Sequence, residues 1–190
     1  MTEQEVLELL TQTGVIMYGH FRLTSGKHSD TYLQCAKVLQ YPDWAERLAR
    51  PIADAFRADG VQVVAGPATG GIILAHEVAR ALGARAVFGE REEGVMTLRR
   101  GFAIEPDERV LVVEDVLTTG GSASELIQAV RDRGGLVVGV GALVDRSGGR
   151  LDLGVPVTTL ARIRPRLYEI EKCPLCADGI PAIKPGSRKV

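Results

Sequence analysis

Long apolar runs are missing from this chain of 190 residues. None approaches the ~18–20 residues that a membrane-crossing helix needs. Cysteine is scarce: Cys35, Cys173 and Cys176 are too few for the disulfide framework of a small secreted domain. Charge of one sign is not in excess. The chain carries 23 basic and 24 acidic side chains, a net of −1, which argues against a sequence-independent nucleic-acid binder. The N-terminus is acidic and amphipathic and lacks the basic-then-apolar order of a signal peptide. No internal repeat or low-complexity tract is visible. These absences leave the expectation of a cytoplasmic, soluble chain with no membrane and no nucleic-acid partner. With 45% hydrophobic residues, it has enough apolar side chains for one full core.

The hydrophobic pattern sets the expected elements. Thr2 and Glu5 fit a capping box ahead of Val6, Leu7, Leu9 and Leu10, so a short helix should run to about Gly14. Ser25 and Gly26 mark a turn between extended pieces. Pro42 opens a second helix, in which Pro51 predicts a kink or break. Apolar runs at 61–65, 84–88, 109–113 and 136–144 read as strands. Helices are expected at 72–82 and 122–133, with a hairpin arm at 95–104. Strand and helix alternating at this spacing predict an α/β fold: a parallel sheet with helices on both faces. Residues 1–40 stand outside that alternation and read as a helix and a small N-terminal hood. Residues 41–160 form the core sheet of a single domain, and 161–190 a C-terminal extension whose end, after Pro181, is expected to fray.

Ligands of such sheets bind beyond the carboxyl ends of the strands. There the sequence places Glu114 and Asp115, expected at the end of a buried strand. Val116, Leu117, Thr118, Thr119, Gly120, Gly121 and Ser122 follow and lead into a helix. Glycines let backbone N–H groups turn inward, and a helix start adds partial positive charge, which makes a nest for phosphate. No lysine follows the glycines, so this is not a Walker loop, and GxGxxG is absent. Two acids beside an anion nest make sense if the ligand also brings hydroxyls or a divalent cation. A ribose 5-phosphate fits. The helix start is expected to be capped by Ser122 with Glu125 as its capping-box partner, which is compatible with the nest; the competing reading is that this tight capped turn is all there is. It leaves two acids on an apolar strand without a reason.

Val-Val-Glu-Asp-Val-Leu-Thr-Thr-Gly-Gly-Ser at 112–122 resembles the phosphoribosyl pyrophosphate (PRPP) signature of the type I phosphoribosyltransferases. Leu23-Thr-Ser-Gly-Lys-His-Ser29 with Tyr32, Gly66-Pro-Ala-Thr-Gly-Gly71, Met96-Thr-Leu-Arg-Arg-Gly-Phe102 and Val144-Asp-Arg-Ser147 make the chain similar to the orotate branch of that family, in its short bacterial form. The resemblance implies the type I fold and transfer of the 5-phosphoribosyl group from PRPP to orotate, with Mg²⁺ bound mainly through PRPP rather than by protein ligands. It implies that Glu114 and Asp115 hold the ribose hydroxyls and that Thr118, Thr119, Gly120, Gly121 and Ser122 cradle the 5-phosphate. Val116 and Leu117 complete that stretch. Ala68, Thr69 and Gly70 would approach the pyrophosphate, with Lys27 and His28 basic residues near PRPP. Thr118, Arg146 and Tyr32 would meet orotate. It also implies a homodimer with shared sites. Independently of the resemblance, Arg146 lies just past the last buried strand, where a guanidinium fork suits a carboxylate. Its alternative is a surface arginine paired with Asp145.

Two departures stand out. Longer members carry a lysine in the pyrophosphate loop where Gly70 stands here, and a lysine-rich mobile loop where this chain has only residues 89–95 with one cation, Arg91. Arg91 is read as the pyrophosphate-stabilising cation, against a solvated residue in an acidic turn; Arg99 and Arg100 follow it. Cys173 and Cys176 form a single CxxC with no second pair. A redox pair and a metal shared across a dimer are set against a plain tail turn, which is the expectation. Cys35 reads as a small buried hydrophobe, and His20 and His76 have no spaced partner. The rival functions are a purine-base phosphoribosyltransferase, which would leave Arg146 without a rationale, and a PRPP-sensing nucleic-acid-binding regulator, which the charge disfavours.

Overall fold

The computed structural model describes residues 1–23 and 25–185. In chain order they form α1 (Glu3–Gln12), β1 (Ile16–Arg22), β2 (His28–Leu33), α2 (Ala36–Leu39), α3 (Pro42–Ala55), β3 (Val63–Pro67), α4 (Gly70–Leu82), β4 (Arg85–Glu92), β5 (Val95–Leu98), β6 (Arg109–Leu117), α5 (Gly121–Arg131), β7 (Leu136–Asp145), β8 (Val157–Arg162), β9 (Leu167–Tyr168) and α6 (Pro174–Ala177).

The central sheet runs β5-β4-β3-β6-β7-β8. All neighbours are parallel except β5, which returns antiparallel along β4. Side chains alternate across it. Val64, Leu111, Val113 and Leu143 face one core with α1, α3 and α4. Val63, Val110, Val112 and Val140 face the other with α5. Because both faces are covered, these strands are continuously apolar rather than alternating.

Several expectations shift. The α1 capping box is present in full. Pro51 lies inside α3, which continues unbroken through it to Ala55. The buried Leu48, Ala49, Ile52 and Ala53 straddle the proline, and their packing holds the helix together despite the lost N–H. The strand at 109–113 extends to Leu117, so Glu114 and Asp115 stand within β6 rather than at its end. The sequence missed β8 because it is a half-buried edge with two threonines. It missed β9 because two residues leave no period to read. The arm expected at 95–104 stops at Leu98.

The hood is a three-stranded antiparallel sheet, β1-β2-β9, so the C-terminal extension supplies its third strand. The segment after Pro181 is also tied down, through a bridge between Ile183 and Phe21. Thr24, and residues 186–190 of the tail expected to fray, lie outside the described residues.

Candidate active site

Two neighbouring strands of the sheet, β3 and β6, each deliver a helix whose N-terminus begins on glycine. Helix α5 starts at Gly121, and its N-cap is Gly120 at φ 78°, with no side-chain cap. A residue with a Cβ adopts that left-handed φ only at a cost. Ser122 is therefore not the cap. Glu125 does not close a capping box either; its Oε2 lies 2.7 Å from Arg91 Nη2. The correction strengthens the nest, because a cap would have occupied the first-turn N–H groups that an anion needs. Among the described residues only the Thr119 side chain approaches, its Oγ1 accepting from the Gly121 N–H at 3.4 Å. Glu114 and the segment 116–123 enclose a cavity of about 70 Å³ at this helix start.

Helix α4 starts at Gly70 after Thr69, again without a side-chain cap. The Ala68–Thr69 peptide is cis, and the Ala68 N–H donates to the Gly89 carbonyl at 2.7 Å. A Cβ at Gly70 would meet the Asp115 carboxylate at 2.6 Å. A lysine therefore cannot stand there while Asp115 keeps its place. Two open helix starts thus converge on one carboxylate pair.

Glu114 is only 8% exposed. Burial first, and the neighbouring Asp115 charge second, push its carboxyl up to about 9. Its Oε1 accepts from the Asp115 N–H at 3.3 Å, and Asp115 Oδ1 accepts from the Val116 N–H at 2.8 Å. Among the described residues no lysine or arginine pairs with either acid. Such a pair fits hydroxyl donors or a divalent cation arriving with a ligand.

The third wall comes from β7 and the hood. The Arg146 N–H donates to the Leu117 carbonyl at 2.8 Å, which sets the arginine beside the end of β6. Asp145 is not its partner. Asp145 Oδ1 accepts from the Ser147 N–H at 2.7 Å, and Arg162 is its nearest cation. Arg146 Nε is buried and has no hydrogen-bond partner among the described residues. Burial lowers the Arg146 pKa, opposed by the facing Cys35 and Tyr32. A buried guanidinium N–H without a partner, near Tyr32, suits a planar anion. Cys35 is buried at this junction, and burial pushes its thiol well up, so it packs there as a neutral group.

The remaining basic residues named from the sequence each face an acid. Lys27 Nζ is 2.6 Å from Glu169, Arg99 Nη2 3.0 Å from Glu92, and Arg100 Nε 3.1 Å from Glu90. Residues 89–95 form a tight hairpin rather than a loop, with Glu93 at φ 52° and Gly94 at φ 87°. Both positive values suit a two-residue type I′ turn. His28 is buried and contacts His20 and Cys176. His76 is exposed on α4.

A larger cavity of about 600 Å³ lies elsewhere, between α1 and α3, lined by Glu5, Leu9, Trp44 and Arg47 among others. It has no open helix start, and its carboxylates are already engaged, Glu5 in the α1 capping box, Glu8 with Gln4 and Asp54 with Arg57, so the chemistry favours the smaller one.

With this geometry in view, the comparisons are specific. The pattern of the family described as "Phosphoribosyl transferase domain" matches residues 36–164. An orotate phosphoribosyltransferase from Pelotomaculum thermopropionicum is 60% identical over 190 residues, covering 100% of both chains. The crystal structure of the orotate phosphoribosyltransferase from Aeropyrum pernix shares 28% identity at a TM-score of 0.69, over 83% of this chain and 93% of that one. The Mycobacterium tuberculosis orotate phosphoribosyltransferase in complex with PRPP shares 25% identity at a TM-score of 0.67, over 84% and 95%.

Proposed function

Because the chain belongs to the phosphoribosyltransferase family, in its orotate branch, we infer that it transfers the 5-phosphoribosyl group of PRPP to orotate. The products are orotidine 5′-phosphate and pyrophosphate, and the reaction is a step of pyrimidine synthesis. The observation that carries the choice of base is the buried, unpartnered Nε of Arg146. Orotate has a carboxylate to fill it and a purine has none.

The two open helix starts, the carboxylate pair and Arg146 support the following assignments. The open start of α5, with Thr118, Thr119, Gly120, Gly121 and Ser122, takes the 5-phosphate. The backbone of Ala68, Thr69 and Gly70, at the open start of α4, faces the pyrophosphate. Glu114 and Asp115 accept from the ribose 2- and 3-hydroxyls. Arg146, Thr118 and Tyr32 hold orotate, whose ring nitrogen is the nucleophile, so no side-chain nucleophile is required. The bond from ribose C1 to pyrophosphate breaks with positive charge developing on the sugar. The fixed carboxylates lie close to that charge, and the fixed 5-phosphate orients C1 toward the base. The unpaired acids also fit Mg²⁺ carried in on PRPP, which would neutralise the departing pyrophosphate.

Turnover with PRPP and Mg²⁺ across orotate, uracil, hypoxanthine and adenine tests the base. Orotate alone should be a good substrate. Turnover of adenine or hypoxanthine at a comparable rate would overturn the assignment.

We further propose a twofold homodimer in which Arg91 serves the partner's pyrophosphate. Within one chain Arg91 is exposed and turned to Glu125, on a hairpin with no other lysine or arginine between 89 and 95. Arg91→Ala and Asp115→Asn homodimers should both be nearly inactive. After chain exchange, about half of the dimers are mixed, and about a quarter of all sites carry neither defect. Activity should return to that level. No recovery after verified exchange, with both parents inactive, refutes the shared site; an active Arg91→Ala parent refutes the role of Arg91.

A further inference from the structure

Four potential metal ligands outside the active site meet at the hood. His20 lies on β1, His28 on β2, and Cys173 and Cys176 flank the start of α6. Their ligand atoms all lie within 4.8 Å of one another. His20 Nε2 is 3.4 Å from Cys173 Sγ and 3.7 Å from Cys176 Sγ, and His28 Nδ1 is 3.3 Å from Cys176 Sγ. A tetrahedral zinc with N and S ligands sets such edges at roughly 3.3–3.8 Å, from bond lengths near 2.0 and 2.3 Å. The two imidazole nitrogens stand closer, at 2.7 Å, and would part by about half an ångström around an ion of that size.

We propose that His20, His28, Cys173 and Cys176 form a closed, structural Cys₂His₂ zinc site that fastens the C-terminal extension to the hood. Three further observations support it. Both cysteines are free thiols, not a disulfide. His20 Nδ1 lies 2.7 Å from the Ile180 carbonyl. A carbonyl only accepts, so Nδ1 carries the proton and Nε2 presents its lone pair to the cluster. That is the outer-shell arrangement of metal-bound imidazoles. His20, His28 and Cys173 are also buried, at 3%, 5% and 3% exposure. Two thiolates, two neutral imidazoles and Zn²⁺ sum to zero charge, which suits an enclosed place.

Among the described residues the other anchors of the extension are weak ones, such as the exposed Lys27–Glu169 pair. Leu167, Ile170, Ile180 and Ile183 remain 45–62% exposed. The extension is held by backbone bonds, such as the Ile183 N–H to the His20 carbonyl at 2.8 Å, and by little apolar burial. With four protein ligands the site keeps no open position, so its role is structural rather than catalytic. The sequence expectation of a plain tail turn is replaced because His20 and Cys173 are 153 positions apart and no local spacing reveals them.

The test is elemental analysis of the untagged full chain, followed by chelation and reloading with Zn²⁺ or Co²⁺. One zinc per chain is expected. Co²⁺ should give the intense visible bands and thiolate charge transfer of a tetrahedral site. Chelation should lower the unfolding midpoint by about 5 °C or more and expose residues 165–185 to proteases. Cys173→Ser with Cys176→Ser, and separately His28→Ala, should lose the ion. Failure of the native chain to take up stoichiometric metal on reloading would overturn the proposal. So would a Cys173–Cys176 disulfide in the protein as purified, or full metal content in both variants.

Discussion

Glu114→Gln will lower turnover by about 10- to 100-fold while raising the stability of the ligand-free protein. The loss reflects an acceptor for a ribose hydroxyl: the carboxyl, protonated in the ligand-free fold, gives up its proton when PRPP and its Mg²⁺ bind, and the bond is then charge-assisted and worth roughly 1.5–3 kcal/mol. The gain reflects burial. In the fold this carboxyl titrates near 9, against an ordinary value of 4.5. A raised carboxyl favours the folded state fully only below the ordinary value. Its contribution declines as pH rises and is lost by about 9. At pH 7 the cost is on the order of 3 kcal/mol, and glutamine removes it. The advantage of the variant should therefore vanish toward pH 4.5 and grow through pH 8. Denaturant unfolding across that range, beside steady-state kinetics, checks both halves. A variant less stable than the parent at pH 8 would contradict the burial argument, and parental turnover would contradict the site. Asp115→Asn should lower turnover by about 100-fold or more, the near-inactivity that the chain-exchange experiment requires.

Arg146→Ala should weaken orotate binding by roughly 100-fold, the scale for leaving one member of a buried charge pair unpartnered, while PRPP affinity changes less than about threefold. Arg146→Lys should restore little, because one ammonium cannot reproduce a two-toothed fork. Calorimetry with each substrate separately is the measurement. Equal losses for both substrates would show that Arg146 does not read the base.

The fold was legible where periodicity is long. The β3-α4-β4 and β6-α5-β7 units appear in the pattern because both faces of the sheet are buried. The glycine- and hydroxyl-rich turn from β6 into α5 was legible because such residues between a strand and a helix have few other uses. Three features were not. The start of α5 was read as a capped helix because Ser122 and Glu125 fit a capping box by spacing. Only the left-handed Gly120 and the Arg91–Glu125 pair show that the cap is open. The hood was read as N-terminal alone, yet β9 joins it through two residue pairs that no pattern announces. The cluster at His20 joins two ends of the chain, so it exists only once the extension has folded back.

The Glu93-Gly94 turn has a kinetic corollary. A long flap that closes over its substrate freezes backbone freedom worth roughly 1–2 kcal/mol per residue at every cycle, and its reopening can time product departure. In this chain four residue pairs, from Gly89–Leu98 to Glu92–Val95, are already laddered. The arm carrying Arg91 has almost no disorder left to surrender. Binding energy from PRPP then goes to holding the sugar and its phosphates rather than to folding a flap. Pyrophosphate leaves when its own contacts break, and solvent viscosity has little flap motion on which to act.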